Sequence, residues 1–183
     1  MHGCPTGSKE AVMNPRVLVT YATWSGSTGE VAEAGGETMR AGGTGVDVLP
    51  VRAVETVDVY QAVVLGTPVR LGKPHNDALA FLRRFRQPLA SIRTAFFIVC
   101  LTMMKDTPDN RCTAESYLDI VRRQAPEVQP LATGLFAGVM IPERLSFPLN
   151  KMMAASKDMP RGNFRDWAAV RVWAYELKKV LLE

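Results

Sequence analysis

The sequence is poor in the residues that build disulfides and metal sites. It holds three cysteines and two histidines in 183 residues. Cys4, Cys100 and Cys112 are odd in number and unevenly spaced, which argues against a disulfide framework and makes a reducing cytosol the simplest home. His2 and His75 give no zinc site of usual ligand spacing. Cys100 sits in an apolar run, where a small buried residue is expected rather than a nucleophile. No apolar run approaches the ~20 residues a membrane span needs. No apolar h-region follows Met1 to Met13, so a secretory signal is not expected; residues 1–14 read as a loose tail, with Met13 close to the working start. No basic stripe with interleaved aromatics occurs, which sets nucleic acid aside. Charge of one sign does dominate: the net charge is +4 and the pI about 9.1. That leaves an acidic lipid surface or an anionic substrate open as a partner.

What is present is enough for one full domain, residues 15–183, with 47% hydrophobic residues and no sign of a second domain or an internal repeat. The chain is organised around Tyr21-Ala22-Thr23-Trp24-Ser25-Gly26-Ser27-Thr28-Gly29. The apolar run Val17-Leu18-Val19 precedes it and a helical segment follows. Such a turn points free backbone N–H groups and the positive end of a helix dipole at one place. Thr23, Ser25, Ser27 and Thr28 add hydroxyls there, which makes a site for a phosphate. No lysine follows the last glycine, as a nucleotide-triphosphate loop requires. Gly26 and Gly29 do not supply the three-glycine dinucleotide fingerprint. A neutral Thr-x-Ser-Gly-x-Thr loop suits one terminal phosphate monoester. The plainer reading is a Ser/Thr/Gly-rich turn with an ordinary N-cap.

Along the chain, apolar strands alternate with helical stretches. Strands are expected at Arg16–Tyr21, Gly45–Val51, Gln61–Gly66, Arg93–Leu101 and Leu131–Ile141. Helices are expected at Thr28–Ala41, closed by Gly42-Gly43, at Asn76–Leu89, from an N-cap at Thr113 to Ala125, and at Phe164–Leu182. Val54–Tyr60 stays ambiguous. Gly35 and Gly36 weaken the first helix, and close packing on the sheet is the expected compensation. This alternation predicts an α/β fold with a five-stranded parallel sheet and helices on both faces.

The loop resembles the FMN-phosphate loop of the flavodoxins, which implies a three-layer sandwich of strand order 2-1-3-4-5 with the ligand at the carboxyl ends of the first, third and fourth strands. Further pieces are similar in order to the menaquinone-dependent protoporphyrinogen IX dehydrogenase branch of that superfamily. They are Gly66-Thr67-Pro68-Val69-Arg70-Leu71-Gly72, Ala95-Phe96-Phe97-Ile98-Val99, the connection with Thr107-Pro108 and Ser116-Tyr117, Gly134–Gly138, and an insert before Asp166-Trp167. The resemblance implies an FMN site built from Thr23, Trp24, Ser25, Gly26, Ser27 and Thr28, from Thr67, Pro68, Val69, Arg70, Leu71 and Gly72, and from Leu101, Thr102 and Met103. Arg70 reads either as a cation near the flavin N1–C2 edge or as a solvated loop arginine. Neither strand-exit loop has the ring-stacking aromatic usual in carrier flavodoxins; Leu71, Met103 and Met104 would give a softer setting. Trp24 either shields the cofactor or covers the helix start.

The insert, about 142–162, is too long for an ordinary connection of about 2–6 residues. Leu145, Leu149, Met152 and Met153 fall on one helical face, among Arg144, Lys151, Lys157 and Arg161. It reads as a basic amphipathic piece for a quinone, a porphyrin or a peripheral contact with the inner face of the membrane, or as a flap packed on the domain edge. The implied activity is an FMN oxidoreductase that takes electrons from a substrate such as protoporphyrinogen IX and passes them to a quinone. The alternatives are an electron carrier between redox proteins and a binding module without flavin. No side-chain acid or base is indicated.

Overall fold

The structure, a computed structural model, describes residues 16–41, 43–145, 147–156 and 160–182. The expected tail at 1–14, Gly42 and Lys157 lie outside the described residues, as does the side chain of Leu149. The elements are β1 (Arg16–Tyr21), α1 (Ser27–Ala41), β2 (Gly45–Pro50), β3 (Ala62–Arg70), β4 (Lys73–Pro74), α2 (Asn76–Leu89), β5 (Arg93–Cys100), α3 (Pro108–Arg122), β6 (Ala132–Ala137), β7 (Val139–Met140), α4 (Leu149–Ala155), β8 (Gly162–Asn163) and α5 (Trp167–Leu182).

Strand periodicity of two decides the layers. In β1, Leu18 enters a core with Val63 and Leu65 of β3, Phe96 and Ile98 of β5, and the buried faces of α2 and α3. Val17 and Val19 point the other way, into a core with Val64, Phe97 and Val99 and with α1 and α5. The five long strands are parallel in the order β2-β1-β3-β5-β6. Counted along the chain this is the expected order 2-1-3-4-5, an α/β flavodoxin-like sheet with helices on both faces. Gly36 shows why α1 tolerates its glycines: a Cβ there would stand 2.5 Å from Val48 Cγ2, so only glycine lets the helix lie this close to β2. Phe97 packs edge-on with Phe136 and Trp173 at 6.0 and 5.8 Å, contacts of about 0.5–1.5 kcal/mol each beyond their area.

Several boundaries differ from expectation for physical reasons. β3 runs on to Arg70, because β5 pairs with Thr67 and Pro68 and the short β4 folds back onto Val69 and Arg70. β1 pairs with β3 only as far as Gly66, so Pro68, which has no N–H, sits where no β1 partner is needed. α3 starts at Pro108, not after Thr113: Thr107 is the N-cap, its Oγ1 accepting the Asn110 N–H at 3.2 Å, and proline is favoured at N1. The expected strand Leu131–Ile141 breaks at Gly138, and β7 turns away to pair antiparallel with β8. α5 starts at Trp167, capped by Asp166, whose Oδ1 accepts the Ala169 N–H at 3.0 Å. Within the insert only Leu149–Ala155 is α-helical. The expected common apolar face does not form: Leu145 lies outside the helix, and Met152 is exposed while Met153 is half-buried. Among the described residues no helix is long and apolar enough to cross a membrane.

Candidate functional site

The turn between β1 and α1 is tight. The Gly26 N–H donates to Thr23 Oγ1 at 2.9 Å, and the Glu30 N–H reaches Gly26 O at 3.1 Å. Gly26 has φ +89°, a left-handed value glycine adopts without strain. Ser27 and Thr28 open the helix and are buried. The Thr28 hydroxyl is shut off from solvent with no hydrogen-bond partner in the protein. A buried hydroxyl left without a partner costs about 1–3 kcal/mol. The free N–H groups of the first helical turn beside it could receive an anion.

Beside this turn a cavity of about 310 Å³ opens at the carboxyl ends of β1, β3 and β5, within the roughly 300–1,000 Å³ usual for ligand pockets. Its walls come from four places. Trp24, Ser25 and Ser27 come from the first turn. Pro68, Val69, Arg70, Leu71 and Gly72 come from the β3–β4 hairpin. Leu101 and Thr102 come from the 3-10 turn, Leu101–Met104, that directly follows β5. The fourth wall includes Tyr117 of α3, the Gly138–Met140 strand exit, and Leu145 and Met153 of the insert.

Of the residues nominated from sequence, five lie off this cavity. Thr23 and Gly26 face a wider groove on the other side of the turn, between α1 and α5, with Glu30, Glu33 and Glu37. Thr28 is buried beneath the turn. Thr67 is buried; its Oγ1 accepts the His75 N–H at 3.0 Å and so ties the hairpin to the start of α2. Met103 packs into the core on the α2 and α3 side. Tyr117, Met140 and Met153 were not nominated. Tyr117 lies inside the expected helix as well as inside α3; it reaches the cavity because α3 meets the hairpin turn.

The hairpin turn is strained. Leu71 (φ +51°) and Gly72 (φ +74°) are both left-handed, as a two-residue type I′ turn demands. Leucine is a poor choice there, at a cost of roughly 1–2 kcal/mol, and Leu71 is 81% exposed. The carbon a side chain would add at Gly72 would lie 3.7 Å from the Tyr117 ring, so the turn overhangs α3.

Electrostatically the cavity is simple. Among the described residues Arg70 is the sole charged side chain on its walls. Burial pulls the Arg70 pKa below its ordinary value, yet a guanidinium remains charged at neutral pH. It lies 4.4 Å over the Trp24 ring, a cation–π contact, so Arg70 is not a freely solvated loop residue. Trp24 also meets His75, ring centroids 4.6 Å apart. His75 caps α2, its Nδ1 accepting the Asp77 N–H at 3.1 Å. Burial, then the nearby arginines, hold its pKa below the usual histidine value, against the pull of Asp77. Burial pushes the Cys100 thiol up, which makes it an inert wall rather than a nucleophile. The arrangement suits a ligand with an anionic end and a mostly apolar, flat body.

Comparison with known proteins bears on the family and the fold. A family model described as a flavodoxin domain matches residues 18–166. Among solved structures, a flavodoxin mutant from Pseudomonas aeruginosa is similar at TM-score 0.58 and 13% identity, over 92% of this chain and 99% of that one. An oxidised flavodoxin 1 from Bacillus cereus is similar at TM-score 0.51 and 16% identity, over 76% and 95%. A flavodoxin, WrbA-like protein from Agrobacterium tumefaciens is similar at TM-score 0.51 and 16% identity, over 92% and 97%. At these identities the likeness shows the fold. Among curated proteins none is significantly similar in sequence.

Proposed function

This chain belongs to the flavodoxin-domain family, and on that premise we propose that it is an FMN-dependent oxidoreductase that draws electrons from an organic substrate and passes them to a quinone. The observation that carries the cofactor reading is the cavity at the carboxyl ends of β1, β3 and β5, which meets the start of α1 at Ser25 and Ser27. Residues Ser25 to Thr28 would hold the phosphate through backbone N–H groups at the start of α1 and through the Ser25 and Ser27 hydroxyls. The hairpin residues Pro68 to Gly72, with Leu101, Thr102 and Tyr117, would hold the ring. When bound, FMN supplies the redox chemistry. The chain's own part is to place the ring, exclude water with Leu101, Leu145 and Met153, and keep the Arg70 cation beside it.

The substrate side rests on charge and on the insert. A net charge of +4 suits an anionic donor such as the propionate-bearing protoporphyrinogen IX. Phe147 and Met152 are 73% and 60% exposed, and Lys151 lies 5.9 Å over the Phe147 ring. These residues support a peripheral contact with an anionic membrane, where the quinone resides. The competing reading is an electron carrier between proteins, which the family likeness favours. The basic pI and the lack of an aromatic residue at either strand exit weigh against it.

Anaerobic titration of the FMN-loaded protein separates these readings. Protoporphyrinogen IX bleaches the flavin absorbance and menadione restores it if the oxidoreductase reading holds. Absence of bleaching, with two well-separated one-electron steps on stepwise chemical reduction, selects the carrier.

A further inference from the structure

The phosphate turn lacks a positive side chain of its own: Tyr21 to Gly29 contains no lysine or arginine. The residue that follows makes this worse. Glu30 Oε1 lies 4.0 Å from where a Cβ on Gly26 would stand, so a carboxylate sits at the rim of the turn. A like charge there opposes a dianion. Two arginines from the two ends of the segment after β6 grip that carboxylate. Arg144 Nη1 donates to Glu30 Oε1 at 3.2 Å, and Arg165 Nη1 donates to Glu30 Oε2.

The two arginines are not equivalent. The Arg165 side chain is 5% exposed. Its Nε donates to Asn163 Oδ1 at 2.9 Å, and its guanidinium lies 4.5 Å over the Trp167 ring. It is fixed by the fold. The Arg144 side chain is 43% exposed and meets only Glu30 among its charged neighbours in the described residues. The next residue, Leu145, lines the cavity. These contacts hold the Glu30 carboxyl below its usual range, the Arg165 hydrogen bond first. Within this cluster the two guanidinium groups exceed the one carboxylate by a single charge, while Glu33, Glu37 and Arg171 line the same groove farther along α1 and α5.

Resting on the FMN reading, we infer that Arg144 is a specificity-determining residue for the cofactor's phosphate: the insert supplies, across Glu30, the positive charge that the turn itself lacks. The insert then belongs to the phosphate end of the site as well as to the ring end. By linkage, phosphate binding also steadies the insert's attachment. An ordinary surface ion pair would do neither; it would add a little stability and nothing to ligand choice.

The test compares dissociation constants for FMN and for riboflavin, which lacks the phosphate, by quenching of flavin fluorescence. The proteins are wild type, R144Q, R144E and R144K. The wild type is expected to prefer FMN. The preference falls by roughly 3–10-fold in R144Q and further in R144E, as expected for one screened charge near a dianion. Riboflavin affinity stays constant, R144K restores most of the preference, and the effect shrinks as salt rises. An unchanged FMN-to-riboflavin ratio in both R144Q and R144E, with wild-type preference intact, overturns this proposal alone. Equal weakening of both ligands assigns Arg144 to the fold and overturns it as well. If the wild type does not prefer FMN, the cofactor reading fails and this proposal fails with it.

Discussion

The two ends of the candidate site are built from different materials. The proposed phosphate end is backbone: residues 23–28 form one continuous turn with a left-handed Gly26, whose N–H donates to Thr23 Oγ1. The proposed ring end is side chain: the hairpin, the turn after β5, Tyr117 and the insert meet there from positions far apart in sequence. A backbone site is specified locally and resists small changes around it. A side-chain site depends on the register of every element that feeds it, so it varies readily and carries the choice of partner.

That contrast predicts unlike responses to substitution. The largest effect is expected at Gly26. Gly26→Val puts a β-branched residue at φ +89°, a strain of about 1–3 kcal/mol. FMN affinity should fall by roughly 10–100-fold, while riboflavin, lacking the phosphate, loses much less. Fluorescence titration reads this directly, and equal losses would erase the distinction between the two ends. Tyr117→Ala is the complementary change. It should weaken FMN and riboflavin alike, by about 5–10-fold for the loss of one aromatic wall. A change in their ratio would place Tyr117 at the wrong end.

Smaller effects separate strain from binding. Leu71→Gly removes the left-handed leucine, a gain of ~0.5–1 kcal/mol after the extra unfolded-state entropy of glycine. Calorimetry should show a Tm about 1–4 °C higher, with the FMN-to-riboflavin ratio unchanged. The smallest effect is a pH dependence. His75 is kept neutral by burial and by Arg52 and Arg70, with Asp77 opposing. Its folded pKa is depressed, so the unfolded chain binds the proton more readily. Stability is complete above the unfolded value of ~6.5 and declines as pH falls from there toward the folded pKa. Protonation would also cost the cap on Asp77. His75→Asn keeps a capping acceptor and should flatten that slope in denaturant titrations at a series of pH values; an unchanged slope would show that His75 does not cause it.

The same contrast explains what could be read from the chain. β1 and α2 have their expected limits, Arg16–Tyr21 and Asn76–Leu89, because a dense apolar run and a clear helical face mark them. The topology follows, since parallel strands with right-handed crossovers leave few arrangements. The turn at 23–28 was legible because its hydroxyls and glycine are contiguous. The cavity's far wall was not. Tyr117 falls inside the expected helix, but no local pattern shows that α3 packs against the hairpin turn. Met140 was hidden by the break at Gly138, where tertiary pairing with Gly162 overrides strand propensity. The grip of Arg144 and Arg165 on Glu30 spans 114 and 135 residues, a distance no local pattern reports.

The central claim is that the turn after β1 holds the phosphate of FMN as a dianion. Phosphorus-31 resonance of the FMN complex tests it most directly. The account predicts a bound signal shifted from free FMN that does not titrate near the ordinary second phosphate pKa of about 6, because the N–H groups favour the charged form. A bound flavin whose phosphate signal stays at the free position and titrates near that value would contradict it.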